Sequence, residues 1–296
     1  LTVTLTRIPS PSLPLPLKRE REASRARYAR FHLLWALRVG AFLFSSLLAS
    51  TTSVADETVT VRHVLDGDSF ILADGRQVRL IGVNAPEFGK DGAPDQPHAK
   101  TARTRLAGLV EKKSVVLVLE QEHRDHYGRL LARVRLPNGS DAGERLLREG
   151  LAWAIAIPPN LEKLAANLAA EHEARAARRG VWNEPAYAPK PAERLTARDT
   201  GFQLIEGKIL RHGQGRHLMY FDLAPRVTLT VPREDWKKYF DVQESTNVAG
   251  DRMSGATKGK PSEWVGRRVV ARGWLTESKG RLHLRVPHPA MLTWRD

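Results

Sequence analysis

A guanidinium in an apolar strand is the first residue that needs an explanation. In Val78-Arg79-Leu80-Ile81-Gly82-Val83 every neighbour of Arg79 is apolar or glycine, and a buried cation without a counter-charge is expensive. Two answers fit the strand alone: a core ion pair with a nearby carboxylate, or a cleft that receives an anion. Nearby residues bring the second into play. Asp68 follows a turn and heads a strand, and Arg129 follows the turn Asp125-His126-Tyr127-Gly128. Asn84-Ala85-Pro86-Glu87 closes the Arg79 strand in extended form, because Pro86 disfavours helix at Ala85. Hard oxygen ligands hold a cation such as Ca2+, a carboxylate activates water, and guanidinium forks stabilise a phosphorane-like transition state. Two arginines with two or three oxygen ligands suit metal-assisted cleavage of a phosphodiester.

The elements that must carry these residues are legible as short runs. VTVRHV, SFILA and QVRLIGVN are β-branched segments separated by Asp66-Gly67 and Asp74-Gly75, which are turn dipeptides. Pro97 opens a helical pattern with Ala99, Ala102, Leu106 and Leu109 on one face. SVVLVLE and RLLARVRL follow as strands around DHYG. Asp141 is placed to cap a short helix ending at Gly150, and Asn160 to cap a longer one with Leu161, Leu164 and Leu168 inward, closed by Gly180. Residues 185–200 are Pro/Ala-rich and aperiodic, the composition of a linker. Beyond them five more strand-like runs, FQLIEGKIL, HLMYFDL, RVTLTV, RRVVARGWL and RLHLRV, predict a second, all-β domain over 201–296.

Composition sets the outer limits. The chain has 296 residues, a formal net charge of +14, a hydrophobic fraction of 42 % with seven Trp, and no cysteine. Disulfide frameworks, Cys-ligated metals and thiol nucleophiles are excluded, and the charge makes a polyanion a plausible partner. Residues 1–38 are basic, the apolar run VGAFLFSSLLAS follows Arg38, and Ser53 and Ala55 form a small-x-small exit. That is the pattern of a signal peptide, 1–55, cleaved after Ala55, with an apolar run too short to span a bilayer comfortably. The expected product is secreted or periplasmic, monomeric, and without stable membrane insertion. Residues 1–55 hold eight Lys/Arg and two acids, so +8 remains on the mature chain.

In this order and spacing, DGDSF, VRLIGVNAPE, DHYGR and ERLLREGLAW, with the final GVWNE, resemble the staphylococcal nuclease (thermonuclease) family. The resemblance runs from about Val59 to Trp182 and defines a first domain over 56–184. It implies a five-stranded OB-type barrel with three helices, an α+β fold rich in β, and Ca2+-dependent hydrolysis of DNA and RNA that leaves 3′-phosphate ends. It further implies that Arg79 and Arg129 clamp the phosphate, that Glu87 is the general base, and that Asp68, Asn84 and the Ala85 carbonyl hold the metal. Asp125 and Tyr127 belong to the turn presenting Arg129, where Tyr127 can meet a phosphate. Two positions depart from the family pattern. Asn84 replaces an aspartate, which weakens Ca2+ binding or admits another divalent cation. Ala156 and Pro158 stand where the best-known member has two tyrosines that stack on the nucleotide, with Trp153 a candidate substitute whose plainer reading is core.

Other readings are weaker. Gly67-Asp68-Ser69 also begins an esterase nucleophile motif, but Ser69 runs on into a strand, and the sole Asp-x-x-His, at Asp95–His98, comes too early. The DGD stretch is no EF-hand, since Gln77 occupies the twelfth loop position. His123 and His126 read as exposed loop, and Arg133 and Arg135 as the solvent face of a strand. A rival from another class is a nucleic-acid-binding protein with an inactive barrel. Such modules lose the arginines and the glutamate, whereas Arg79, Glu87 and Arg129 are all present here. The second domain is expected to be a small, OB-like barrel that raises affinity or docks the protein at an envelope site. In it Arg267, Arg268, Arg272, Lys279 and Arg285 interleave with Trp264 and Trp274.

Overall fold

Alternation of buried and exposed residues closes the first five long strands on themselves. The computed structural model describes residues 56–241 and 260–295. The expected signal peptide and most of the polar loop after Phe240 lie outside the described residues. Strands β1 (Glu57–Val64), β2 (Ser69–Leu72) and β3 (Gln77–Leu80) form an antiparallel meander, with a register shift between Val61 and His63. After the short β4 (Val83–Asn84), β5 (Ser114–Val118) and β6 (Leu130–Arg135) complete a closed barrel in the order β1-β2-β3-β6-β5. Inward Val61, Phe70, Val78, Leu117 and Val134 fill it. This is the five-stranded OB-type barrel that the sequence predicts.

Three helices pack on it: α1 (Ala99–Val110), α2 (Ala142–Arg148) and α3 (Leu164–Ala176). Asp141 caps α2 by accepting from the Glu144 N–H at 3.0 Å, as expected. Asn160 does not cap α3. Its side chain instead accepts from Glu122 N at 2.9 Å and donates to Glu122 O at 2.7 Å, pinning the chain beyond β5. The helix begins four residues later, because this amide finds both partners on one neighbouring peptide. Leu161, Leu164 and Leu168 turn inward, but toward the second core as well as the first. Arg133 is no simple solvent residue either; it bridges Glu120 and Glu162.

Residues 185–200 are an ordered connection: β8 (Lys190–Pro191) pairs in parallel with β9 (Gly201–Lys208), and Ala192 is buried. The second all-β part is an eight-stranded sheet, larger than the five runs suggested. Strands β10 (Arg211–Gln214), β11 (Leu218–Ala224), β12 (Val227–Pro232), β13 (Arg268–Ser278), β14 (Arg281–Arg285) and β15 (Leu292–Arg295) are arranged as β10-β11-β12-β14-β13-β9-β8, with β15 on β13. The path β11-β12-β14-β13-β9, with β12 parallel to β14, repeats the strand order of the first barrel, and β10 and β8 lie at its ends. Its core gathers Phe221, Trp236, Phe240 and Trp264, whose ring centroids lie 4.7–5.8 Å apart.

From Ala55 on, the chain is one compact unit, and the contacts between barrel and sheet explain why. Arg272 of β13 donates to both oxygens of Glu171 in α3 at 2.7 and 2.6 Å, and both side chains are largely buried. Glu171 also accepts the Ala154 N–H at 2.8 Å, in the strand β7 (Trp153–Ala154) that pairs with β4. Ile155 and Ala156 sink into the sheet's core. No helix among the described residues is long and apolar enough to cross a membrane. Removing one member of a buried pair leaves a charge without compensation, at about 3–5 kcal/mol. Arg272→Ala is therefore expected to lower stability by about 3 kcal/mol or more in urea titration, and Arg272→Met with Glu171→Gln by clearly less. A single variant within about 0.5 kcal/mol of the parent would show that the pair ties nothing together.

Candidate active site

The site starts at the turn between β1 and β2. Asp66 Oδ1 accepts the Asp68 N–H at 2.9 Å, closing a tight Asx turn around Gly67. A Cβ on Gly67 would lie 2.5 Å from the Ala85 methyl and 2.7 Å from that of Ala102. Glycine thus lets the turn press against both α1 and the segment after β4. Asp68, only 3 % exposed, sits at the crossing. Its Oδ2 accepts the Ala85 N–H at 2.7 Å, and its Oδ1 accepts the Ser69 hydroxyl at 2.9 Å and faces Arg79 Nη1.

The core ion pair is the reading of Arg79 that the structure shows. The guanidinium pairs with Asp68, and its Nη2 donates to Asn84 Oδ1 at 3.1 Å. Yet Nη1, though against the carboxylate and buried, has no acceptor aligned with its N–H. Asn84 is held in register by the β4–β7 ladder opposite Trp153.

Glu87 stands on the exposed rim just past Pro86. Gln96 clips its backbone from both sides, accepting the Glu87 N–H at 2.9 Å and donating to Glu87 O at 3.0 Å. The Glu87 carboxyl is pushed above its ordinary range, first by partial desolvation and then by the Asp68 charge. Arg79, Lys90 and Arg129 oppose this. These mutual influences place Glu87, Asp68 and both arginines in one electrostatic field.

Arg129 is presented by the expected turn. Asp125 Oδ1 accepts the N–H groups of Tyr127 and Arg129 at 3.0 and 2.9 Å, while Oδ2 accepts Arg129 Nε at 2.7 Å. Burial pushes the Asp125 carboxyl up, but the bonds and charge of Arg129 outweigh it and hold it below its usual range. Asp125 therefore positions the guanidinium from behind, through Nε. Tyr127 is 74 % exposed, with its ring 5.5 Å from the Arg129 guanidinium carbon and 3.8 Å from the His126 ring. Trp153, weighed as a stacking substitute, is enclosed at 2 % exposure between Tyr187 and Phe202.

One member of the cluster escaped the sequence reading. Asp66 was read only as a turn residue, although its spacing from Asp68 puts two carboxylates on one tight turn. Its carboxyl is raised to about 7, by desolvation first, then by the Asp68 charge, with a smaller push from Glu87. Asp66 and Glu87, both discouraged from ionising by burial and then by the Asp68 charge, form with Asp68 a focus that a hard cation would relieve. Among the described residues no three His, Asp or Glu side chains are grouped as a metal cage. A cation would rely on Asp68 with the neutral oxygens of Asn84 and Ala85, a donor set that suits oxygen-seeking divalent ions.

A closed barrel with carboxylates, an amide oxygen and two guanidinium groups in one electrostatic neighbourhood is the arrangement these elements build. Comparison with known proteins agrees. Residues 77–184 match the family described as staphylococcal nuclease homologue. The thermonuclease of Staphylococcus intermedius is 37 % identical over 137 residues, covering 45 % of this chain and 80 % of that protein. The thermonuclease of Staphylococcus hyicus is 33 % identical over 139 residues, covering 46 % and 81 %. An uncharacterized endonuclease of Escherichia coli O157:H7 is 31 % identical over 141 residues, covering 46 % and 83 %. The chain belongs to the staphylococcal nuclease family.

The raised Asp66 carboxyl has a sign that can be checked. Between its ordinary value of 3.8 and about 7 the folded state holds a proton that the unfolded state has released, so this group costs stability as pH rises through that window. Asp66→Asn should match the parent near pH 4. In chelator at pH 8 it should be more stable by about 1–2 kcal/mol, a figure discounted for solvent screening. Added cation should shrink the gain. Urea titrations at both pH values decide it; equal stability at pH 8 would mean that the three carboxylates do not repel.

Proposed function

We propose that the chain is an exported nuclease that uses a divalent cation, with Ca2+ the first candidate, to hydrolyse phosphodiester bonds of DNA, RNA or both. The observation that carries this reading is the common field of Glu87, Asp68, Arg79 and Arg129 at the barrel's mouth. Family membership supports it, since relatives of 31–37 % identity are named thermonuclease and endonuclease. Export rests on the sequence pattern of residues 1–55 alone.

Asp68, Asn84 and the Ala85 carbonyl would hold the cation, which when bound neutralises phosphate charge and polarises water. Asn84 in place of a carboxylate leaves room for other divalent ions. Arg79 offers Nη1 to one non-bridging phosphate oxygen, and Arg129, steadied by Asp125, offers its terminal nitrogens to another. Glu87 accepts a proton from the attacking water as the new P–O bond forms. The P–O5′ bond then breaks, the 5′ oxygen is protonated from solvent, and a 3′-phosphate remains. A carboxyl with a raised pKa is a stronger base in its ionised form, which suits this task.

Full-chain protein assayed on plasmid DNA and on RNA with Ca2+, Mg2+, Mn2+ or chelator tests the reading. Cleavage is expected with at least one cation and none with chelator. Glu87→Gln should lower kcat by about 10²–10⁴. The ionised base is the active form, so kcat/KM should rise with pH along an acidic limb displaced above 4.5, and that limb should vanish in the variant. Parental activity in Glu87→Gln would remove the general-base assignment. Binding without cleavage under every cation would leave a recognition module.

A further inference from the structure

The register of the second sheet lines up a row of side chains that the catalytic account does not use. Tyr220 pairs with Thr230 across β11 and β12, and Thr230 with Arg285 across β12 and β14. Arg285 lies beyond the Leu275–Leu284 pair, beside Trp274, and Trp274 pairs with Phe202 across β13 and β9. The row crosses five strands, with Thr230 buried and Phe202 packed partly against the sheet's core. At about 4.8 Å per strand it is about 19 Å long. Its sequence of groups is aromatic, hydroxyl, cation, aromatic, aromatic.

This row is accessible where it matters. Trp274 is 37 % exposed, one of the few large apolar side chains at the surface, and Arg285 is exposed beside it. Of the other basic residues of this domain, Arg272 is committed to Glu171 and Arg267 to the Trp294 ring at 4.2 Å. Trp264 is core. The next row is braced by Thr228 donating to Asp222 and Arg281 donating to Thr228, at 2.6 and 3.2 Å. The acids facing this surface are Asp222, which pairs with Arg211 and Arg281, and Asp235, which feels the Arg285 charge.

The row also leads to the barrel's mouth. Trp274 touches Phe202 at 5.2 Å between centroids, Phe202 touches Trp153 at 5.2 Å, and Trp153 pairs with Asn84. The barrel itself offers no ring at Ala156, which is buried with its N–H on the Met291 sulfur, or at Pro158.

We infer that this face of the second sheet is a binding track for single-stranded nucleic acid, with Trp274 stacking on a base and Arg285 on the backbone phosphate, next to the cleavage site. The inference rests on the nuclease reading for its substrate class. An exposed ring beside a cation suits a single strand, because its bases expose π-faces that a duplex hides. Charge complementarity comes from Arg285, with Arg281 and His283 behind it on β14.

The test measures binding of a fluorescent twelve-residue oligothymidylate to the full chain in chelator, where cutting is off. Trp274→Ala and Arg285→Ala should each weaken binding about tenfold or more, Trp274→Phe should retain most of it, and exposed Lys112→Ala should change nothing. Arg285→Ala should flatten the salt dependence of log Kd by about 0.7. Should Trp274→Ala misfold by circular dichroism, Arg285→Ala and Trp274→Phe decide alone. Parental binding in the variants, binding confined to duplex, or no binding by the parent overturns the track. A chain that binds through Trp274 but cuts with no cation overturns the nuclease reading instead, and one that cuts while the variants bind normally overturns only the track.

Discussion

Asp68 is the point on which the site depends. One buried carboxylate holds the turn before β2, the segment after β4 and the guanidinium of β3 together, through Ala85, Ser69 and Arg79. None of these partners is dispensable, because a carboxylate at 3 % exposure needs every donor it can reach. The same requirement sets the electrostatics of the neighbourhood. Burial raises the carboxyls of Asp66 and Glu87 and the Asp68 charge adds to it, while Arg79 moderates Glu87.

The second sheet is not an appendage to this arrangement. Its Arg272 neutralises Glu171, which holds Ala154, and Ala154 belongs to the ladder that registers Asn84. Through these contacts the sheet reaches the strand that carries Asn84. It also roofs the ground where Ala156 lies, so the barrel surface that could carry stacking rings is closed by Met291. The contacts that make one unit of barrel and sheet also bring Phe202 and Trp274 toward Trp153 and the ladder that holds Asn84.

Much of the barrel was legible because its periodicities are local. Alternation in VTVRHV and SFILA, the Asp66-Gly67 and Asp74-Gly75 turns, and the Asp141 cap all report physics that acts within a few residues, and each element forms where expected. Errors fell where a side chain chose a distant partner. Asn160 reads as a helix cap, yet it bonds to Glu122. Arg133 reads as solvent-facing, yet it bridges Glu120 and Glu162. Asp66 was hidden for the same reason, since a turn aspartate becomes unusual only when Asp68 and Glu87 crowd it.

By itself the sequence determined which residues could do chemistry: Asp68, Arg79, Glu87 and Arg129 are recognisable by type, spacing and the strands and turns that carry them. Those are short-range properties, and one-dimensional order preserves them. Tertiary structure decided how they share charge, which arginine keeps a donor without an aligned acceptor, and which tryptophans are enclosed. It also decided that Trp274 rather than Trp264 faces solvent, because sheet register, not composition, selects the face. Burial and long-range pairing depend on what the chain brings back from a hundred residues away, as Arg272 is brought to Glu171; no local pattern encodes that meeting.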